Sequence, residues 1–260
     1  MGIHLPREEG RRVPRSHDRD RLTAMGARKP RRVAARGRRR DQEPAAAKAA
    51  DRDERPAHSP RRSGPSRISL GRALTKRHPR VVGIDDGPFR RTDTRAPVAL
   101  VVCSLPDRVD GIAMTDVAVD GTDSTRRLAA ALKGSGHLDG IRAVMVDGIT
   151  LGGFNVVDLV GLARAVRRPV VAVTRRRPGY DAMDAALRTY FPNDGGRRRR
   201  LVHARPLFAV SVANGWLEVA VAGATRAEAA ALVRRSVREG RWPEPLRLAR
   251  LVARAHAARG

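Results

Sequence analysis

Carboxylates recur in this chain at the points where apolar runs stop. Asp85 and Asp86 follow Val81-Val82-Gly83-Ile84, Asp120 follows a run ending at Val119, and Asp147 follows the unbroken run Ile141 to Val146. Asp123 lies one turn beyond Asp120. Acids gathered at strand ends with few cations between them repel one another, and a hard divalent cation relieves that repulsion. Mg²⁺ and Mn²⁺ choose oxygen ligands and usually keep waters. Two such ions about 4 Å apart can activate a water and stabilise the leaving oxygen of a phosphodiester. Asp85, Asp120 and Asp147 are therefore candidate catalytic residues. With Asp86 and Asp123 they are candidate ligands for Mg²⁺ or Mn²⁺. A plainer reading stands beside this one: Asp-Gly is common turn chemistry, and Asp123 before Ser124-Thr125 makes a good helix cap.

A second set of residues could hold substrate. In Val146-Asp-Gly-Ile-Thr-Leu-Gly-Gly-Phe-Asn155 a strand delivers Asp147 and a glycine-rich loop follows. Gly152 and Gly153 would let backbone approach a ligand, and Asn155, read as opening the next helix, would add a phosphate contact. Alternatively the glycines merely turn the chain and Asn155 caps the helix. No Gly-Lys-Ser/Thr follows, so this is not a Walker loop, and its glycine spacing is not that of a dinucleotide fingerprint. Arg175 to Arg177 and Arg197 to Arg200 could line a strand-binding groove and screen phosphate charge. Their plainer role is as solvated loops. His78, His137 and His203 are isolated, without metal-ligand spacing.

The elements that must position these groups alternate. Val81–Ile84, Val98–Ser104 and Gly111–Val119 read as strands, the last two as a hairpin. Ser124–Leu132 has helical spacing, and Ile141–Val146 reads as a strand buried on both faces. Val156–Val166 follows as a helix, Pro169–Thr174 as a strand, and Ala182–Tyr190 as a helix. Two short strands joined by Asn214-Gly215 carry a strong hairpin signal. Thr225 with Glu228 forms a capping box for a helix over 226–238, and a last helix runs from Pro245 to about Ala257. This order implies an α/β fold, a mixed sheet flanked by helices. If the first strand neighbours the fourth, Asp85 and Asp147 emerge side by side.

Composition bounds the rest. The 260 residues hold 53 Lys and Arg against 27 Asp and Glu, a net charge of +26, which favours an anionic partner such as nucleic acid. Arginine-biased coding is the plain alternative, because only Lys29, Lys48, Lys76 and Lys133 are lysines. Aromatic residues are too scarce, at 3%, for a base-stacking platform. Residues 1–72 lack aromatics and any apolar period, and read as a long, disordered, basic Arg/Ala/Pro-rich extension; residues 73–260 read as the folded domain. Cys103 is the only cysteine, so neither an internal disulfide nor a cysteine metal cluster is possible, and no disulfide-linked partner is expected. With no apolar stretch long enough to span a membrane and no secretory signal, a cytoplasmic protein without membrane partners is expected.

Four motifs carry a resemblance: Arg80-Val-Val-Gly-Ile-Asp-Asp-Gly-Pro-Phe89, Val119-Asp-Gly-Thr-Asp-Ser-Thr125, Asp147-Gly-Ile-Thr-Leu-Gly-Gly-Phe-Asn-Val-Val-Asp158 and Pro243-Glu-Pro-Leu-Arg247. In this order, over roughly residues 76–257, they resemble the mainly archaeal endonuclease dU family, which is similar to endonuclease V. The resemblance implies a ribonuclease H-like fold and a metal-dependent DNA-repair endonuclease. Its metal-binding acids fall on Asp85, Asp120 and Asp147, with Asp123 competing for the second place, where endonuclease V has Glu. Its base-probing wedge has no counterpart here, and Arg250 stands where the family's last motif often carries His. The expected function is cleavage of DNA, more so than RNA, with deaminated bases such as deoxyuridine as candidate targets, by a metal-activated water. A non-catalytic nucleic-acid-binding module and a metal-dependent hydrolase of small phosphorylated molecules are the alternatives.

Overall fold

The computed structural model describes residues 69–175, 179–204 and 207–258. The expected basic extension lies outside the described residues as far as residue 68. Three residues ahead of the expected boundary, the short helix α1 (Leu70–Leu74) starts at Ser69, whose hydroxyl accepts from the Arg72 N–H.

Three strands then form an antiparallel meander: β1 (Arg80–Asp86), β2 (Arg95–Ser104) and β3 (Arg108–Ala118). Helix α2 (Ser124–Gly134) leads to β4 (Ile141–Asp147). A tight hairpin follows, β5 (Thr150–Leu151) and β6 (Asn155–Val156), then helix α3 (Leu159–Val166) and β7 (Val170–Thr174). Helices α4 (Tyr180–Tyr190) and α5 (Gly195–His203) precede the hairpin β8 (Phe208–Val212) and β9 (Gly215–Ala222). Helices α6 (Arg226–Ser236) and α7 (Glu244–Ala257) complete the described elements.

Seven strands share one sheet in the order β3-β2-β1-β4-β7-β9-β8. β1, β4 and β7 run parallel and the other pairings are antiparallel. This is the expected mixed sheet. The alternation explains the two-sided burial of the central strands: every residue of Val81–Asp86 is buried. On one face Ile84, Val144, Val146 and Ala172 pack with Leu128, Leu132, Leu162, Leu187 and Leu201 from α2 to α5. On the other, Val81, Met145, Val171 and Val173 pack with Leu70, Leu232, Val233 and Leu246 from α1, α6 and α7. Helices thus flank both faces.

Two expectations about local structure need correction. Asn155 does not open a helix. Gly152 and Gly153 take left-handed conformations (φ 54° and 86°), fold the chain back as a hairpin, and put Asn155 in β6. The cap of α3 is Asp158, whose carboxylate accepts from the Gly161 N–H at 2.8 Å. Nor are Arg197–Arg200 in a loop: Asp194 caps a helix that begins at Gly195, its carboxylate accepting from the Arg197 N–H at 2.9 Å.

Candidate active site

The parallel register of β1 and β4 sets Ile84 opposite Val146, so the next residues, Asp85 and Asp147, leave neighbouring strands at the same level. Their carboxyl groups are hydrogen-bonded to each other. Asp85 is only 4% exposed, and one of its oxygens also accepts from the Asp86 N–H at 2.9 Å. Burial, the charge of Asp147 and then that of Asp86 push the Asp85 carboxyl up to about 9, with Arg250 opposing. Two touching carboxyls cannot both ionise cheaply, so a proton or a cation must sit between them.

Two arginines face this pair. Arg175, just past β7, lies with its guanidinium 4.0 Å over the Trp242 ring. Burial lowers its pKa while the charges of Asp147 and Asp85 raise it. Arg250 comes from α7, which lies directly on β1. A Cβ at Gly83 would fall 2.1 Å from the Pro245 carbonyl oxygen, and one at Gly87 would fall 2.5 Å from that of Ala253. Glycine at both places lets helix backbone touch strand backbone, and Arg250 sits between the two contacts. Sequence reading passed over this arrangement. Its signal was the pair of glycines flanking Asp85, which become legible only once a helix is known to cross there.

The other candidate acids are engaged elsewhere. Asp86 accepts from the Gly152 N–H at 2.9 Å and ties the end of β1 to the β5–β6 hairpin. Asp120 grips the same hairpin from the other side: its N–H donates to the Gly152 carbonyl at 2.8 Å and its carboxylate accepts from the Phe154 N–H at 2.8 Å. One carboxylate oxygen of Asp123 accepts from the Ala118 N–H at 3.0 Å and the Asn155 amide at 2.8 Å. The other oxygen lies 3.5 Å from Arg95. Burial works against ionisation of Asp123, but these hydrogen bonds and Arg95 hold it below the usual carboxylate range. Among the described residues, no three His, Cys, Asp or Glu side chains form a group that could hold a metal ion. Of the five candidate ligands the structure brings together Asp85 and Asp147, with Asp86 beside them in the chain.

The substrate-binding candidates divide in the same way. Asn155 is fully buried. Its amide donates to the Ala118 carbonyl at 3.0 Å and to Asp123, and its carbonyl accepts from the Ser124 N–H at 3.1 Å. Its polar groups are thus taken up by the fold, in place of the expected phosphate contact. Gly152 is buried against Val117 and Ala96, while Gly153 is exposed at the hairpin tip and within reach of Asp120. Arg197 is buried, stacked 3.8 Å from the Phe191 ring and bonded to the Asp120 carbonyl at 2.9 Å, so it braces the hairpin. Arg175 stands at the carboxylate pair; Arg177 lies outside the described residues.

The pair fits a hard divalent cation. Mg²⁺ is usually held by one or two carboxylates, with waters and substrate phosphate completing its shell. Among the described residues no helix is long and apolar enough to cross a membrane.

Comparison with known proteins places this geometry in a family. The family described as endonuclease dU matches residues 77–257. A UPF0215 protein of Thermococcus gammatolerans is 39% identical over 180 residues, covering 68% of this chain and 91% of the relative. Another, from Methanothermobacter thermautotrophicus, is 37% identical over 175 residues, covering 67% and 85%. The crystal structure of an Archaeoglobus fulgidus protein of unknown function superposes with a TM-score of 0.62 at 34% identity, covering 68% of this chain and 97% of that one. On this evidence the chain belongs to the endonuclease dU family.

Proposed function

We propose that this protein is a divalent-metal-dependent endonuclease that cuts DNA, at deaminated bases such as deoxyuridine. The observation that carries the reading is the contact between the Asp85 and Asp147 carboxyls at adjacent strand ends, with Asp85 pushed up to about 9. Such a pair is held in unfavourable proximity unless a cation joins it. When bound there, Mg²⁺ or Mn²⁺ would supply Lewis acidity toward a phosphodiester and a water of lowered pKa.

The chain's own residues do the positioning. Asp85 and Asp147 would hold the cation. Asp86 and Asp120 fix the β5–β6 hairpin beside the pair through Gly152 and Phe154. Arg175, held flat by Trp242, would meet the scissile phosphate, and Arg250 adds positive charge on the α7 side. Both cations favour the phosphorane-like charge that builds up during cleavage. Asn155 and Asp123 act indirectly, by fixing the start of α2.

The test is cleavage of labelled oligonucleotides carrying deoxyuridine, deoxyinosine or no lesion, by the full chain with Mg²⁺, Mn²⁺ or a chelator. The expected result is cutting that a chelator abolishes and that falls at least about 100-fold in both Asp85→Asn and Asp147→Asn. Cutting that survives both substitutions, or none in any metal with binding intact, overturns the reading in favour of a non-catalytic nucleic-acid-binding module.

A further inference from the structure

A groove of about 560 Å³ runs between α2 and α3, with Arg200 of α5 at its wall. It is separate from the carboxylate pair but shares its edge of the sheet. Register places the C-terminal end of β3 beside the start of β2, and that start beside the end of β1: Ala118 faces Arg95 and Val98 faces Asp86. Helices α2 and α3 both start from this edge and run away from it. Thr122 and Thr125 line the near end of the groove and Lys133 the far end.

Its lining is built from cations over small residues. Ala129 and Ala165 leave the floor low, while Arg126, Lys133 and Arg200 supply the charge. Arg126 and Lys133 are exposed. Arg126 has one distant acid, Asp123 at 4.0 Å, which is already shared with Arg95. The lone carboxylate of the lining, Asp158, is taken up in capping α3. Arg200 is the most telling: its Nη1 is out of water and has no hydrogen-bond partner. Arg200 is half-buried and feels the charge of Asp194, so it lends positive charge to the wall while that nitrogen stays outside any hydrogen bond. From Arg126 to Lys133 is seven residues of helix, about 10 Å. An extended single strand spaces its phosphates more widely than the roughly 3.4 Å axial rise of a duplex strand, so this length reaches about two of them.

We infer that this groove is a phosphate track that takes a single nucleic-acid strand leading away from the carboxylate pair. The nuclease reading supplies the partner, but the track is tested by binding and stands or falls apart from cleavage. Row spacing favours a strand over an isolated anion, and the low alanine floor leaves room for sugars beside the phosphates.

The test uses the full chain in chelator, so that no cutting intervenes, and a fluorescein-labelled single-stranded DNA of about 20 nucleotides. Affinity is read by anisotropy across a salt series. Arg126→Gln/Lys133→Gln/Arg200→Gln is compared with Arg72→Gln/Arg226→Gln/Arg234→Gln, which removes equal charge from exposed positions on α1 and α6 across the sheet. Three lost phosphate contacts flatten the slope of log K against log salt by about 2. We expect that change, with at least a tenfold loss of affinity, in the first variant, and less than a twofold loss in the second. Arg126→Gln/Lys133→Gln, which leaves half-buried Arg200 in place, should flatten the slope by about 1.4 and guards against misfolding. Equal weakening in both triple variants overturns the track and leaves only diffuse charge attraction. Competition by a poly-glutamate peptide as effective as by unlabelled DNA, and lost in the groove variant, overturns it in favour of an acidic protein partner.

Discussion

At the scale of single residues, the Asp85–Asp147 contact sets a sign that can be measured. With its carboxyl pushed up to about 9, Asp85 must take up a proton on folding at pH 7, and Asp147→Asn removes a charge that forces this, so the variant should be more stable than the parent chain in chelator by at least about 1 kcal/mol in urea unfolding. The same variant should lose the rise in melting temperature that Mg²⁺ gives the parent. A stability loss in chelator, with the Mg²⁺ response retained, would mean that the pair is structural. The sequence showed Asp85 and Asp147 clearly because a strand end is a strong positional signal. It could not separate them from Asp120 and Asp123. All four are acids beside turns, and only the hydrogen bonds from the Phe154 and Ala118 N–H groups and the Asn155 side-chain amide reveal which are taken up by the fold. Asn155 was misread for the same reason: a polar side chain near a glycine turn looks alike whether it faces a ligand or a buried turn.

At the scale of elements, apolar periodicity gave most strands and helices to within a few residues, because the central strands are buried on both faces and the outer helices on one. Short or polar elements escaped. The β5–β6 hairpin has two residues per strand, and α5 is Gly-Gly followed by four arginines, a helix weakened by its glycines and its crowded like charges that stands on its Asp194 cap and on Leu201 in the core. The β1–α7 crossing was likewise invisible, since nothing local tells a glycine kept for close approach from one kept for a turn. It makes a sharp prediction. Gly83→Ala would set a methyl 2.1 Å from the Pro245 carbonyl, so α7 must lift from the sheet. A loss of about 3 kcal/mol or more in urea unfolding is expected. A change below about 0.5 kcal/mol would show that α7 is not seated on β1 as described.

At the scale of the whole molecule, two sets of carboxyls pull stability in opposite directions with pH. Hydrogen bonds from the Arg197 N–H, the Thr225 N–H and the Arg247 guanidinium hold Asp194, Glu228 and Glu244 below the usual carboxylate range. Their contribution is present above the ordinary carboxyl values of 3.8 and 4.5 and is lost as pH falls through the lowered ones. Asp85 runs the other way. Its carboxyl binds a proton more tightly folded than unfolded, so its contribution is present below 3.8 and is lost as pH rises toward about 9. Melting temperature in chelator should therefore peak at mildly acidic pH, near about 5, and saturating Mg²⁺ should move the peak toward neutrality. A profile in chelator that is flat from pH 5 to 9 would remove Asp85 from this account.

The seating of α7 on β1 also has a meaning in time. On the ribosome, the strand bearing Asp85 emerges early, and the helix that covers it is made more than half a chain later. A nascent protein therefore exposes its acids without their roof or Arg250 for most of its synthesis. The candidate site is whole only once α7 has been made, so under the proposed function a copy cut short before residue 244 should leave DNA uncut.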